Sequence, residues 1–241
     1  MKKDLNIIKD IFITHRGLHD KCIPENSLGA FKAAINKNLP IELDIHLLKD
    51  KKVVVFHDDN LKRMTGKDLD IDKVTYDEIK NLRLGDSNEK LPLLKEVLEL
   101  VNGKVLLDIE LKITNPAGKL EKELVKLLDN YNGKFIVKSF NPLSVLWFRI
   151  NRPKYIRGQL SCSYTKEKMN SLKRYILRDL VHLFITKPDF VAYDIKSITD
   201  KIVKKLKKRN IPLILWTIRN KEELDKAKSY NASIVYEKII I

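Results

Sequence analysis

Eight short runs of β-favouring apolar residues recur along this chain: "IFIT" from Ile11, "PIELDIHL" from Pro40, "KVLLDIEL" from Lys104, "KFIVKSF" from Lys134, "IRGQLS" from Ile156, "DFVAYDI" from Asp189, "PLILWTI" from Pro212 and "ASIVYE" from Ala232. Between most of them lies a segment of helical period, such as "SLGAFKAAINKN", "GKLEKELVKLLDN", "LSVLWFRIN" or "KEELDKAKSY". A β-α unit repeated eight times predicts a (β/α)8 TIM barrel, an α/β fold. An open doubly wound sheet uses the same units, but no Gly-rich phosphate loop follows the first run. The 241 residues suit such a barrel as one domain spanning 1–241.

One strand breaks the rhythm. "VVVFHD", from Val53, follows "IELDIHLL" after only "KDKK", too short for a parallel crossover. It must return antiparallel, as a β-hairpin rising from the second strand. Beyond it, residues 59–102 exceed what one helix needs. They hold a capping box in "TYDE" (Thr75, Glu78) and a helix in "PLLKEVLELV" that Gly103 stops. A small cap inserted after strand 2, spanning about 49–102 and lying over the barrel mouth, is the expectation.

Composition narrows the class. With 44% apolar and 33% charged residues, and no apolar run near the ~20 residues that cross a bilayer, the chain reads as a soluble globular protein. "MKKDLNIIKDIF" lacks the sustained apolar core of a signal peptide, so a cytoplasmic location is expected. Cys22 and Cys162 form neither a disulfide framework nor a zinc spacing and read as free thiols. The formal charge of +15 could attract nucleic acid, anionic lipid or a phosphate-bearing substrate. "KIVKKLKKRN" carries no interleaved aromatics and reads as an amphipathic helix with Ile202, Val203 and Leu206 inward, so no nucleic-acid partner is expected. The amphipathic "KEKMNSLKRYILRDLVHLF" allows transient contact with a membrane surface.

Reactive groups in such a barrel stand at the C-terminal ends of the strands. His15 and Arg16 close the first. Glu42 and Asp44 alternate in the second and so share a face. Glu110 and Lys112 repeat the spacing in "DIELK". Buried carboxylates on one face repel, and a bound cation is their natural stabiliser. Oxygen ligands without cysteine favour Mg²⁺, Ca²⁺ or Mn²⁺ over Zn²⁺. Residue by residue, ion pairs are the simpler reading: Glu110 with Lys112, and Glu42 or Asp44 with Arg16. Taken together these charges interrupt strands that are otherwise Ile, Leu and Val. His15 and His57 both close strands and suggest a general acid and a general base. His46 falls in the hairpin near the site without a needed role, and His182 reads as core. Asp58 follows His57 directly, and strand alternation points it away, so it is read as a turn cap and not as the orienter of that histidine.

"HRG", "PENSLGAF", "IELDIHLLKD", "VVVFHDDNLKRMTG" and "DIELK", in that order, resemble the successive motifs of the glycerophosphodiester phosphodiesterase family. "VKSFNP", "RGQLS", "PDFVAYD" and "LWTIRN" resemble the family's later strand ends. The resemblance implies a TIM barrel with a small insertion after the second strand. It implies hydrolysis of glycerophosphodiesters to glycerol 3-phosphate and an alcohol, with His15 and His57 as the acid–base pair. It further implies a divalent metal on Glu42, Asp44 and Glu110, and phosphate contacts from Arg16 and Lys112. Trp216 resembles the aromatic lining the glycerol pocket, a barrel-core tryptophan being the plain alternative. The chain departs from the family at its last strand, where "ASIVYEKII" replaces a Gly and an Ile-Thr-Asp stretch. Two other readings keep the fold: a lysophospholipase D type reaction on lysophospholipids, and a non-catalytic barrel that binds a phosphate ligand.

Overall fold

Each of the eight runs forms a parallel strand, and each strand is built on the two-residue period of its side chains. The computed structural model describes residues 3–112, 116–165 and 167–239. The chain divides into two compact units: residues 13–135, and residues 1–12 with 136–241.

The first unit carries β1 (Phe12–Thr14), α1 (Leu28–Asn36), β2 (Ile41–Leu47), β3 (Val53–Val55), α2 (Lys62–Thr65), α3 (Tyr76–Ile79), α4 (Leu94–Val101), β4 (Leu107–Leu111) and α5 (Lys119–Leu128). β2 is central, parallel to β1 and β4. β3 returns antiparallel with Ile45 opposite Val55, the expected hairpin. Residues beyond it close a small core of their own, with Phe56, Leu61, Ile71, Ile79, Leu84 and Leu91 around Val54. Thr75 donates its backbone N–H and its hydroxyl to Glu78 Oε2, at 2.7 and 2.8 Å, which starts α3. α4 packs against α1 and ends on Asn102 and Gly103, both at positive φ.

The turn after β1 requires a glycine. Gly17 has φ +80°, and a Cβ there would stand 2.9 Å from Ala30 Cβ and 3.0 Å from Phe31 Cδ1 in α1. Only a residue without a side chain lets β1 turn this close to the helix. Gly17→Ala is expected to destabilise the fold by roughly 3 kcal/mol, the sum of left-handed strain and overpacking. Urea denaturation would check this, and an unchanged midpoint would contradict it.

The second unit carries β5 (Phe135–Ser139), α6 (Pro142–Asn151), β6 (Arg157–Ser161), α7 (Ser171–Arg178), α8 (Leu183–Thr186), β7 (Phe190–Asp194), α9 (Asp200–Lys208), β8 (Leu213–Ile218), α10 (Lys221–Ser229) and β9 (Ser233–Tyr236). β5 to β9 pair in parallel, each with the next. Gly158 in β6 leaves room for the Phe190 ring, which a Cβ there would overlap. As its period predicts, α9 turns Ile202, Val203 and Leu206 into a core with Tyr193 and Leu215. The amphipathic segment holds two helices, α7 and α8. Leu180 breaks it, fully buried at φ +55°, and α8 starts again three residues later. Lys166 itself, and Ile240 in the final stretch, lie outside the described residues. His182 is buried, with Nδ1 3.1 Å from the Ile176 carbonyl, as its core reading expects. Both cysteines are free thiols. Among the described residues no helix is long and apolar enough to cross a membrane.

Candidate active site

Residue parity in β2 and β4 builds the centre of the site. The two strands pair Glu42 with Asp108 and Asp44 with Glu110, so four carboxylates occupy one face in two layers. Glu42, Asp44 and Glu110 each offer an oxygen within 4.8 Å of the others, and all three are buried. The ladder runs one residue past β4, where the Lys112 N–H donates to the Ile45 carbonyl at 3.0 Å. That brings Lys112 Nζ to 2.6 Å from Glu110 Oε1 and 3.2 Å from Asp44 Oδ1. Arg16 Nε lies 3.4 Å from Asp44 Oδ2. The ion pairs expected from spacing are therefore present, and they lie within a carboxylate cluster.

Arg16 takes φ +56°, unusual for a residue with a side chain. Two hydrogen bonds hold it there: its N–H donates to Glu42 Oε2 at 3.0 Å, and its carbonyl accepts from the Asn26 N–H at 3.0 Å. Asn26, from the "PENS" loop, donates through Nδ2 to Asp44 Oδ2 at 2.9 Å. Burial by itself would raise the Asp44 pKa. The charges of Lys112 and Arg16 and the Asn26 amide outweigh it and hold the carboxyl far below the usual range. Burial likewise opposes the charge of Lys112, yet Glu110 and Asp44 raise its pKa well above that of a free lysine. Both groups are ionised at neutral pH.

The largest departure from the sequence reading concerns Asp58. β3 ends at Val55, and the chain bends at His57, so strand alternation no longer governs the next side chain. His57 Nδ1 lies 2.6 Å from Asp58 Oδ1, which makes Asp58 the orienter of the ring. Burial raises the Asp58 pKa, but hydrogen bonds from Arg63 and His57 prevail and bring it to about 2. An ionised Asp58 can only accept, so Nδ1 carries the proton and Nε2 is the free nitrogen. Arg63 from α2 joins Asp58 Oδ2 at 2.5 Å to Glu25 Oε1 at 2.7 Å, and Glu25 accepts from Arg16 Nη1 at 2.7 Å. A continuous chain of charges thus links His57 to Arg16. His46 supports the same turn, its Nε2 3.2 Å from the His57 carbonyl, and burial lowers its pKa so that it stays neutral.

This network has a pH signature. Asp58 binds its proton less readily folded than unfolded, so its contribution is complete above the unfolded value of 3.8 and is lost as pH falls through about 2. We expect wild type to exceed Asp58→Asn in stability by about 1 kcal/mol at neutral pH, after discounting for solvent screening. The gap should close on acidification below about pH 4. A gap that persisted unchanged at the lowest pH would contradict the assignment.

Glu25, Asn26 and Arg63 are site residues that the sequence reading misses. Glu25 and Asn26 lie within "PENSLGAF", and that motif is their one available signal. Arg63 stands 38 residues from Glu25, and no spacing rule covers that pair. Asp108 is a fourth carboxylate that the period of "DIEL" could have placed on the same face. His15 follows the last residue of β1, beside Arg16 and half-buried. Trp216 belongs to the other unit, in β8. Its ring meets Phe140 edge-on at 5.7 Å, and its indole N–H is buried with no partner among the described residues.

Residues 15–236 match the model of the glycerophosphoryl diester phosphodiesterase family. The chain belongs to that family. A glycerophosphodiester phosphodiesterase of Caldanaerobacter subterraneus subsp. tengcongensis is 30% identical over 233 residues, covering 91% of this chain and 90% of the relative. A glycerophosphodiester phosphodiesterase of Thermotoga maritima, solved by crystallography, is 26% identical and superposes with a TM-score of 0.75, covering 94% of this chain and 93% of its own. A phosphodiesterase of Oleispira antarctica, solved with the product sn-glycerol-3-phosphate, is 23% identical with a TM-score of 0.80, over 96% of this chain and 94% of its own. The likeness runs along nearly the whole chain, and the fold is a (β/α)8 barrel. As a family member the protein is an enzyme, a phosphoric diester hydrolase. Glycerophosphoryl diester phosphodiesterases use a divalent cation in general, and the cluster of Glu42, Asp44 and Glu110 is chemically able to hold one.

Proposed function

We propose that the enzyme cleaves glycerophosphodiesters to sn-glycerol 3-phosphate and an alcohol, with His15 and His57 exchanging the protons. One observation carries this reading. A histidine with its Nδ1 held by a carboxylate, an arginine, a lysine and three buried carboxylates converge: Arg16 just past β1, Glu42 and Asp44 on β2, His57 past β3, and Glu110 and Lys112 at the end of β4.

A phosphodiester gathers negative charge on its non-bridging oxygens as the nucleophile attacks, so fixed positive charge must face them. Arg16 and Lys112 supply that charge, Arg16 with the planar fork suited to a phosphate. Glu42, Asp44 and Glu110 would hold a divalent cation, Mg²⁺ or Ca²⁺ before Mn²⁺. The donor set fits: its oxygens are hard and buried, and three carboxylates stand against the two cations Arg16 and Lys112. A bound cation would add positive charge for the phosphoryl oxygens. His57 Nε2 takes or gives a proton at the reacting oxygen while Asp58 stabilises the imidazolium. His15 serves the opposite step. For Trp216 a glycerol contact rests on the family resemblance alone.

The test is release of the head-group alcohol, choline or ethanolamine, from glycerophosphocholine, glycerophosphoethanolamine and lysophosphatidylcholine, with chelator and with added metal. Release that chelator removes and Mg²⁺ or Ca²⁺ restores is expected. Full activity in chelator would refute the metal assignment. Faster turnover of lysophosphatidylcholine would move the enzyme to the lysophospholipase D reaction, and binding without turnover would make it a phosphate-ligand barrel.

A further inference from the structure

Seven large apolar side chains are exposed among the described residues, and six stand on three successive helices: Leu143 and Ile150 on α6, Leu172 and Tyr175 on α7, Phe184 and Ile185 on α8. Leu143 and Ile150 are seven residues apart on one helix face, with half-buried Trp147 between them. Leu172 and Tyr175 are three apart on theirs. α8 packs on α6, and the Arg149 guanidinium donates to the Ile185 carbonyl, so these two apolar stripes adjoin. Scattered surface leucines are ordinary, but a cluster of this kind marks a surface that something covers.

The charge around it identifies what. From Asn141 to Lys187 the chain has ten basic residues against two acidic ones, more than half of its net +15. Arg157 is turned inward to Asp189, whereas Lys154, Lys168, Lys173, Arg178 and Lys187 are exposed. α9 adjoins this face, since Lys205 donates to the carbonyls of Asp179 and Leu180, and its other lysines extend the basic border. An apolar surface on helices this rich in one sign of charge disfavours pairing with a second copy of itself. It matches a surface that is apolar beneath and anionic above.

We propose that the face formed by α6, α7 and α8 docks the enzyme on an anionic phospholipid bilayer. The aromatic and aliphatic side chains enter the boundary between headgroups and acyl chains, and the lysines and arginines engage the anionic headgroups. With α7 only eight residues long and α8 four, insertion is shallow and binding reversible.

The test is co-sedimentation of the full chain with vesicles. At about 0.1 M salt, vesicles with about 30 mol% phosphatidylserine should retain the enzyme, and pure phosphatidylcholine vesicles should retain it at least about tenfold less. Raising the salt to about 0.5 M should release it. Leu172→Ser with Phe184→Ser should weaken retention about tenfold, through lost apolar contact, and leave turnover of glycerophosphocholine unchanged. No retention on anionic vesicles would overturn the proposal, as would retention indifferent to the double substitution. A concentration-dependent dimer abolished by the same substitutions would overturn it too, by assigning the face to a second copy.

Discussion

His57→Ala lowers kcat on a glycerophosphodiester by about 10²- to 10⁴-fold, the contribution of one well-placed acid or base. The expectation rests on geometry. With Nδ1 bound to Asp58 at 2.6 Å, the ring presents Nε2, and the ionised carboxylate steadies the imidazolium that forms when Nε2 takes a proton. His57 is partly exposed, so its removal opens no core cavity and the thermal midpoint should barely move. Asp58→Asn should lower kcat in the same direction, because an amide can donate to Nδ1 and shift the ring proton to Nε2, leaving no base there. The check is kcat with KM and thermal unfolding for both variants. A kcat within about threefold of wild type for His57→Ala would remove the residue from the proton transfers.

Asp44→Asn is expected to damage both stability and activity. The carboxylate lies between Lys112 Nζ at 3.2 Å and Arg16 Nε at 3.4 Å and accepts from Asn26, at about 1% exposure. Its depressed pKa means that the surroundings favour the charged form in spite of burial. Neutralising it leaves two cations less compensated in a buried setting, which costs about 3 to 5 kcal/mol when one partner of such a pair is removed. Urea denaturation in chelator isolates this ion-pair contribution from any bound metal. A midpoint equal to wild type there would show that the repulsion among Glu42, Asp44 and Glu110 cancels the attraction. Activity should fall by more than the stability loss explains, since Asp44 also belongs to the set proposed to hold the cation.

Much of the site is legible in advance because its frame is local. In "IELDIHL" every second residue is apolar, and this alone puts Glu42 and Asp44 on one face. The same rule in "DIELK" aligns Glu110 and Lys112, and the strand register then sets Asp44 beside Glu110. The short "KDKK" forces a hairpin, and the hairpin is there. Where the regular backbone stops, the rule stops with it. Alternation carried past Val55 turns Asp58 away from His57, whereas the bend after β3 turns it toward the ring. The amphipathic pattern of "SLKRYILRDLVHLF" does not say where α7 stops after Arg178. Burial of Leu180 at φ +55°, and the bonds from Lys205 to the carbonyls of Asp179 and Leu180, end α7 there.

The sequence by itself determined the eight β-α units, the hairpin and the polar faces of β2 and β4, because these follow from periods of two and 3.6 residues that act over a few neighbours. Only the tertiary structure decided that Arg63 would bridge Glu25 to Asp58 and so link His57 to the arginine beside the carboxylates. No period connects side chains 38 residues apart. Charges at that separation meet only when the chain between them has folded back, and the partner each then finds is set by the packing of the intervening turns.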